Sequence, residues 1–250
     1  MYSDKFLRTE LLLGKTAMEK LKKSRVAVFG IGGVGGFAVE ALARAGIGAI
    51  DIFDGDVIDE TNINRQIFAL ISTVGKSKVD VAYDRIRDIN DEIKINKKKI
   101  FFTKENEKEI DFTSYDYIID AIDTISSKVT LIENANMYGV PIISAMGAGN
   151  KVDPTRFKVS DIYKTEVCPL AKKMRLELKK IGIKSLKVVY STENPISREN
   201  AIYSDEKSNE TMINSGFSKK KIVGSISFVP PVVGFIIASE VIKDLIKEKG

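Results

Sequence analysis

An α/β fold built on a mostly parallel sheet, with helices on both faces, is what the sequence predicts. Three observations carry that expectation. Short apolar runs alternate with longer stretches of helical periodicity through residues 25–149, the alternation that βαβ units produce. The first run, RVAVFG, leads through the Gly-rich turn GIGGVGG, residues 30–36, straight into a helical pattern. The second, AIDIFD, ends on Asp54, and a strand-end acid after such a turn is the arrangement of a Rossmann-like nucleotide site.

In chain order, KFLRTELLLGKTAMEKLKK reads as an N-terminal helical region, and RVAVFG as a buried strand feeding the helix GFAVEALARAGI. AIDIFD is the second strand. KSKVDVAYDRIRDIN follows as a helix, KIFFT and YDYIIDAID as strands, SSKVTLIENANMYG as a helix and PIISAMGAG as a strand. Beyond about residue 150 the strands shorten to RFKVSDI and KVVYST, with the basic helix CPLAKKMRLELKKIG between them. This C-terminal part is expected to extend the sheet and to carry a basic surface. The apolar stretch at residues 222–242 is long enough to raise a membrane span, but Pro230 and Pro231 sit in its middle, so a strand followed by a core helix explains it better. Without repeats or a low-complexity linker, residues 1–250 are expected to form one domain. Residues 1–150 would bind nucleotide and 151–250 would add the basic part.

Composition narrows the chemistry. With 250 residues, 44% hydrophobic and 29% charged, the chain suits one large globular domain. MYSDKFLRTE has no apolar signal core, which makes a cytoplasmic location the expectation. There is no histidine and a single cysteine, Cys168. A His-based triad, an intrachain disulfide and a Cys/His zinc site within one chain are therefore excluded. A reaction whose nucleophile is already ionised needs no such base. Charge is uneven: residues 151–250 hold 19 Lys and Arg against 12 Asp and Glu. A basic excess suits a polyanionic partner, although a solvated lysine-rich face would show the same count.

Gly30, Gly32 and Gly35 fit G-x-G-x-x-G between a strand and a helix, where backbone N–H groups and a helix N-terminus can approach a phosphate. With Asp54 as ribose partner, this alone would serve an NAD or FAD oxidoreductase. Asn62, Arg65 and Gln66 follow at once, and Lys78 stands on the next helix. They supply positive charge and donors beyond what a pyrophosphate on a Gly loop requires, and they suit a triphosphate. Asp123, at the tip of YIIDAID, can hold Mg²⁺ against those phosphates or simply form a strand-end turn.

G-x-G-G-x-G, D-x-D, N-x-x-R-Q, a helix lysine and a strand-end aspartate together resemble the ThiF-like, ubiquitin-activating-type adenylyltransferases. That resemblance implies ATP and Mg²⁺ as cofactors, with Gly33 against the phosphates, Asp54 on the ribose and Asp56 beside it. It implies triphosphate contacts from Asn62, Arg65, Gln66 and Lys78, and Mg²⁺ at Asp123. Arg8 resembles the arginine such enzymes supply across a homodimer interface. TNINRQIFAL, the GAG before DPT, VSDIYKTEVCPLAKKMR and GSISFVPPVVGFIIASEVI look closest to the bacterial tRNA threonylcarbamoyladenosine dehydratases within that family. This implies a tRNA anticodon stem-loop as substrate on the basic C-terminal part, and leaves room for a sulfur-carrier or desulfurase partner. Lys172, Lys173, Arg175, Lys179, Lys180 and Lys219, Lys220, Lys221 are the expected basic patch.

The alternatives are an adenylyltransferase acting on the C-terminus of a small sulfur-carrier or ubiquitin-like protein, and a non-catalytic nucleotide-sensing RNA-binding module. Paired CxxC motifs of the sulfur-transfer relatives are absent. Some members carry a cysteine where this chain reads NSGFSKKKIVGS; Cys168 is either its replacement as a thioester nucleophile or incidental.

Overall fold

A computed structural model describes residues 4–196 and 223–247. Within them, seven strands form one sheet: β1 (Arg25–Phe29), β2 (Ala49–Phe53), β3 (Lys94–Lys98), β4 (Tyr117–Asp120), β5 (Ile142–Ala145), β6 (Phe157–Asp161) and β7 (Lys187–Ser191). Their order is β3-β2-β1-β4-β5-β7-β6. All neighbours run parallel except β6, which pairs antiparallel with β7 at the edge. The C-terminal part thus extends the sheet, as expected. Strand order reverses between β1 and β4, and the crevice beyond their C-terminal ends is where doubly wound sheets bind ligands.

Helices cover both faces. On one face lie α2 (Lys15–Lys23), α3 (Gly35–Ala45), α4 (Lys78–Ile89) and α7 (Val229–Ile246), and on the other α5 (Ile125–Met137) and α6 (Pro169–Lys180). The strands β1 and β4 are buried along nearly their whole length, as central parallel strands must be. Helix α7 is the apolar segment containing Pro230 and Pro231, which occupy its first turn where an N–H would be unpaired anyway. It packs along α3 so closely that a Cβ on Gly234 would stand 2.4 Å from the Val34 carbonyl oxygen. No helix among the described residues is long and apolar enough to cross a membrane.

Three expected elements differ. The N-terminal helical region is two helices, α1 (Leu7–Leu13) and α2, broken at Gly14 with φ +84°. KIFFT is not the third strand; β3 is the preceding KINKK, an edge strand whose exposed lysines discourage pairing with another chain. The apolar run was instead following the core and a cleft wall: Phe102 is buried edge-on to Phe29, centroids 5.1 Å apart. Residues 223–228 form no strand, being tied to the body by Asn150 and Asn64 rather than by a ladder.

At the end of the sheet away from the crevice, Asp244 of α7 accepts from Lys187 at 2.6 Å, from Tyr117 Oη at 2.8 Å and from Lys247 at 2.7 Å. Burial would raise its pKa, yet these bonds hold the carboxyl down at about 2. A depressed carboxylate stabilises the fold above the unfolded-state value and loses that contribution as pH falls through the folded one. Asp244→Asn is therefore expected to cost about 2 kcal/mol at neutral pH. The deficit should shrink between about pH 4 and pH 2 in urea unfolding; a deficit that is constant with pH would contradict the assignment.

Candidate functional site

A cleft of about 760 Å³ opens at the crevice. Its floor is set by two glycines. Gly30 turns the chain at the end of β1 with φ +83°, and a Cβ there would stand 2.7 Å from the Ala121 carbonyl oxygen. Gly35, at the start of α3, would carry a Cβ 1.8 Å from the Gly30 carbonyl oxygen. Gly35 does not line the cleft; it lets the helix begin directly on the turn. Gly32 and Gly33 do line it.

Asp54 braces this loop from the end of β2. Its Oδ2 accepts from the Ile31 N–H at 2.9 Å and its Oδ1 from the Asp56 N–H at 2.9 Å. Burial pushes the carboxyl above its ordinary value, while Lys78 pulls the other way. The Lys78 ammonium is itself buried, 2.6 Å from Asp56 Oδ2 and 3.8 Å from Asp54 Oδ1. Asp56 is half exposed, so it is the partner an incoming phosphate can displace.

The turn after β2 presents the remaining donors. Asp59 caps the short helix Glu60–Asn62, and Asn62 Oδ1 accepts from the Asp59 N–H at 3.2 Å. Arg65 is partly buried, and its guanidinium rests on the Thr61 carbonyl and Asn64 Oδ1, both at 2.9 Å. Gln66 is buried beside Gly32. On the facing loop after β4, Asp123 is exposed and accepts from Thr124 Oγ1 at 3.2 Å. These side chains, scattered over seventy residues of sequence, all line one cleft.

Other expected residues lie elsewhere. Arg8 is exposed on α1 and outside the cleft of its own chain. Cys168 is buried in the α5–α6 core and does not line the cleft, so it has no direct path to a nucleotide there. Lys172, Lys173, Lys179 and Lys180 are exposed on α6. Lys180 pairs with Glu177 at 2.8 Å. Arg175 leaves the expected stripe, because its guanidinium turns inward onto the Thr165 carbonyl at 2.9 Å. Lys219, Lys220 and Lys221 lie outside the described residues.

Two walls were not read from the sequence. Ile100, Phe101 and Phe102 close one end of the cleft, the run mistaken for a strand. Gly147–Gly149 and residues 223–225 close the other; the GAG triplet was the one signal pointing there. For a divalent cation the donor set is sparse: no group of three or more acidic or cysteine ligands occurs among the described residues. One or two carboxylates facing a phosphate site fit Mg²⁺, which takes most of its ligands from phosphate and water.

The ThiF family model matches residues 4–250. The chain belongs to the ThiF family. Within it, a tRNA threonylcarbamoyladenosine dehydratase of Bacillus subtilis is 45% identical over 244 residues, 97% of this chain and 95% of that protein. The crystal structure of the Escherichia coli tRNA N6-threonylcarbamoyladenosine dehydratase TcdA with AMP superposes with a TM-score of 0.83 at 34% identity, over 98% of this chain and 96% of that one. The same ThiF-family enzyme with ATP matches at TM-score 0.83 and 33% identity, over 98% and 96% of the two chains. By contrast, a probable adenylyltransferase/sulfurtransferase of Mycobacterium tuberculosis is 35% identical over 52% of this chain and 33% of its own length.

The glycine geometry gives a sharp contrast. Gly35→Ala should cost about 3 kcal/mol or more, since the Gly30 backbone carbonyl cannot move aside. Gly32→Ala, whose Cβ would meet only the Gln66 side chain at 3.7 Å, should melt within about 0.5 kcal/mol of wild type while binding ATP more weakly. Thermal melts with and without ATP check both; equal melting of the two variants would refute the packing argument.

Proposed function

We propose that this protein is an ATP-dependent tRNA threonylcarbamoyladenosine dehydratase. The observation that carries the reading is the single cleft joining the Gly loop, Asp54, Arg65, Lys78 and Asp123, in a chain that matches such dehydratases along almost its whole length. The threonyl carboxylate of the modified adenosine attacks the α-phosphorus of ATP, and pyrophosphate leaves. An oxygen of the carbamoyl group then displaces AMP from the acyl carbon, closing a ring. The oxygen lost from the carboxylate departs with AMP, so the nucleoside loses one water.

The carboxylate is ionised at neutral pH, and the step needs no histidine. What it needs is positive charge, because two anions must meet. Arg65 swings from its carbonyl perch and Lys78 exchanges Asp56 for phosphate. Asp54 holds the ribose and Gly33 faces the phosphates. Asp123 would hold Mg²⁺, which supplies further neutralisation of the triphosphate. Exposed Lys172, Lys173 and Lys179 of α6 offer phosphate contacts to the anticodon stem-loop. Residues 1–150 supply the charged nucleotide contacts, and 151–250 bind the RNA while residues 223–225 and Pro230 complete the cleft wall, in a cytoplasmic homodimer.

Mass spectrometry of nucleosides from threonylcarbamoylated tRNA incubated with protein and ATP tests the reading: a product lighter by one water is expected. Lys78→Ala and Arg65→Ala should each slow pyrophosphate release about a hundredfold or more with the fold intact. An unmodified nucleoside alongside rapid pyrophosphate release would point to a different acyl acceptor.

Arg8 is proposed to act in the partner's cleft, consistent with its exposure outside its own. Leu7, Leu11 and Leu12 are exposed beside it on α1, a surface that a second copy can cover. Mixing Arg8→Ala chains with Asp123→Ala chains should restore activity in heterodimers, where one site has both groups. Inactive mixtures with heterodimers demonstrably present would remove Arg8 from the mechanism.

A further inference from the structure

Beneath the Asp123 loop lies a buried charge pair that does not line the cleft. Lys128 Nζ donates to Asp120 Oδ2 at 2.8 Å, and both side chains have no exposure. Ser144 donates to the same oxygen through a short bond and accepts from Lys128 at 3.2 Å. Three elements meet here: Asp120 ends β4, Ser144 stands opposite it in β5, and Lys128 lies in the first turn of α5. Removing two charges from water is costly, and an apolar trio of similar size often stabilises a fold as well or better. Stability alone does not account for the arrangement.

The second oxygen of Asp120 shows what the pair does. Asp120 Oδ1 accepts from the Ile122 N–H at 3.1 Å, fixing the turn that carries Asp123 one residue later. Within the same turn, the Ala121 N–H bonds to the Phe29 carbonyl at 2.9 Å, and the Ala121 carbonyl abuts Gly30. With Oδ2 held by Lys128 and Ser144, the carboxylate cannot rotate away from Ile122. We infer that Lys128, Asp120 and Ser144 are positioning residues, which lock the loop after β4 so that Asp123 faces the metal–phosphate end of the cleft. This rests on the proposed role of Asp123 in holding Mg²⁺.

The test is ATP affinity measured by calorimetry in Mg²⁺ and in EDTA, the ratio of the two dissociation constants reporting metal coupling. Asp120→Asn with Lys128→Met removes both charges but keeps an acceptor for Ile122; its ratio should stay within about twofold of wild type. Asp120→Leu with Lys128→Met removes the acceptor too, and its ratio should collapse toward one, as in Asp123→Asn. A wild-type ratio in the Leu/Met variant, with coupling lost in Asp123→Asn, overturns the positioning role. A wild-type ratio in Asp123→Asn alone would instead overturn the metal reading and, with it, this inference. If the Leu/Met variant does not fold, Ser144→Ala decides: a ratio reduced about threefold supports the lock, and an unchanged ratio overturns it.

Discussion

Everything in the cleft depends on how closely three backbones approach at the end of β1. The Gly30 carbonyl lies where a Cβ of Gly35 would be, and the Ala121 carbonyl lies where a Cβ of Gly30 would be. Helix α3 therefore starts on the turn itself, with its unpaired N–H groups directed at whatever occupies the loop. The loop after β4 is equally fixed in height, since it leans on the same glycine. Both sides of the nucleotide site are thus positioned by excluded volume, with backbone N–H groups that donate to Asp54 and Asp120 holding orientation.

Charge in the site is arranged with comparable economy. Lys78 is buried but paired with Asp56, and Arg65 is partly buried and tied to a carbonyl and an amide oxygen. Each cation has a partner that a phosphate oxygen can replace, so the cleft presents no bare buried ammonium, which would be costly. The raised Asp54 carboxyl belongs to the same balance: burial disfavours its charge, and Lys78 partly restores it.

Much of this was legible in the sequence because it follows from residue type and short spacing. The Gly turn, Asp54, Lys78 and Asp123 each sit at or near the boundary of a patterned strand or helix, so their convergence followed from the topology, and Arg65 lies in the turn that joins β2 to α4. Failures came where pattern and role separate. KIFFT has the apolarity of a strand, but its phenylalanines serve the core and a cleft wall, while the polar KINKK takes the edge. Arg175 has helical spacing for the exposed stripe, but a carbonyl within reach, at Thr165, claims its guanidinium. Lys128 carries no local signal at all: nothing in SSKVTLIEN distinguishes a lysine destined for the interior from one in water, because its partner is set by tertiary packing.

Helix α7 has a consequence for how the molecule comes into being. Gly33 of the nucleotide loop packs on Pro230, Val34 on Gly234, and the largest core closes only with Val233, Ile237 and Val241 in place. The loop is made early in synthesis and its cover about two hundred residues later, a separation that makes the assembling contacts strongly non-local. A ribosome-bound chain must therefore hold its first strands and α3 without their apolar cover until α7 has emerged from the exit tunnel. Nucleotide binding competence then arrives at once, near the end of translation, rather than growing with the chain.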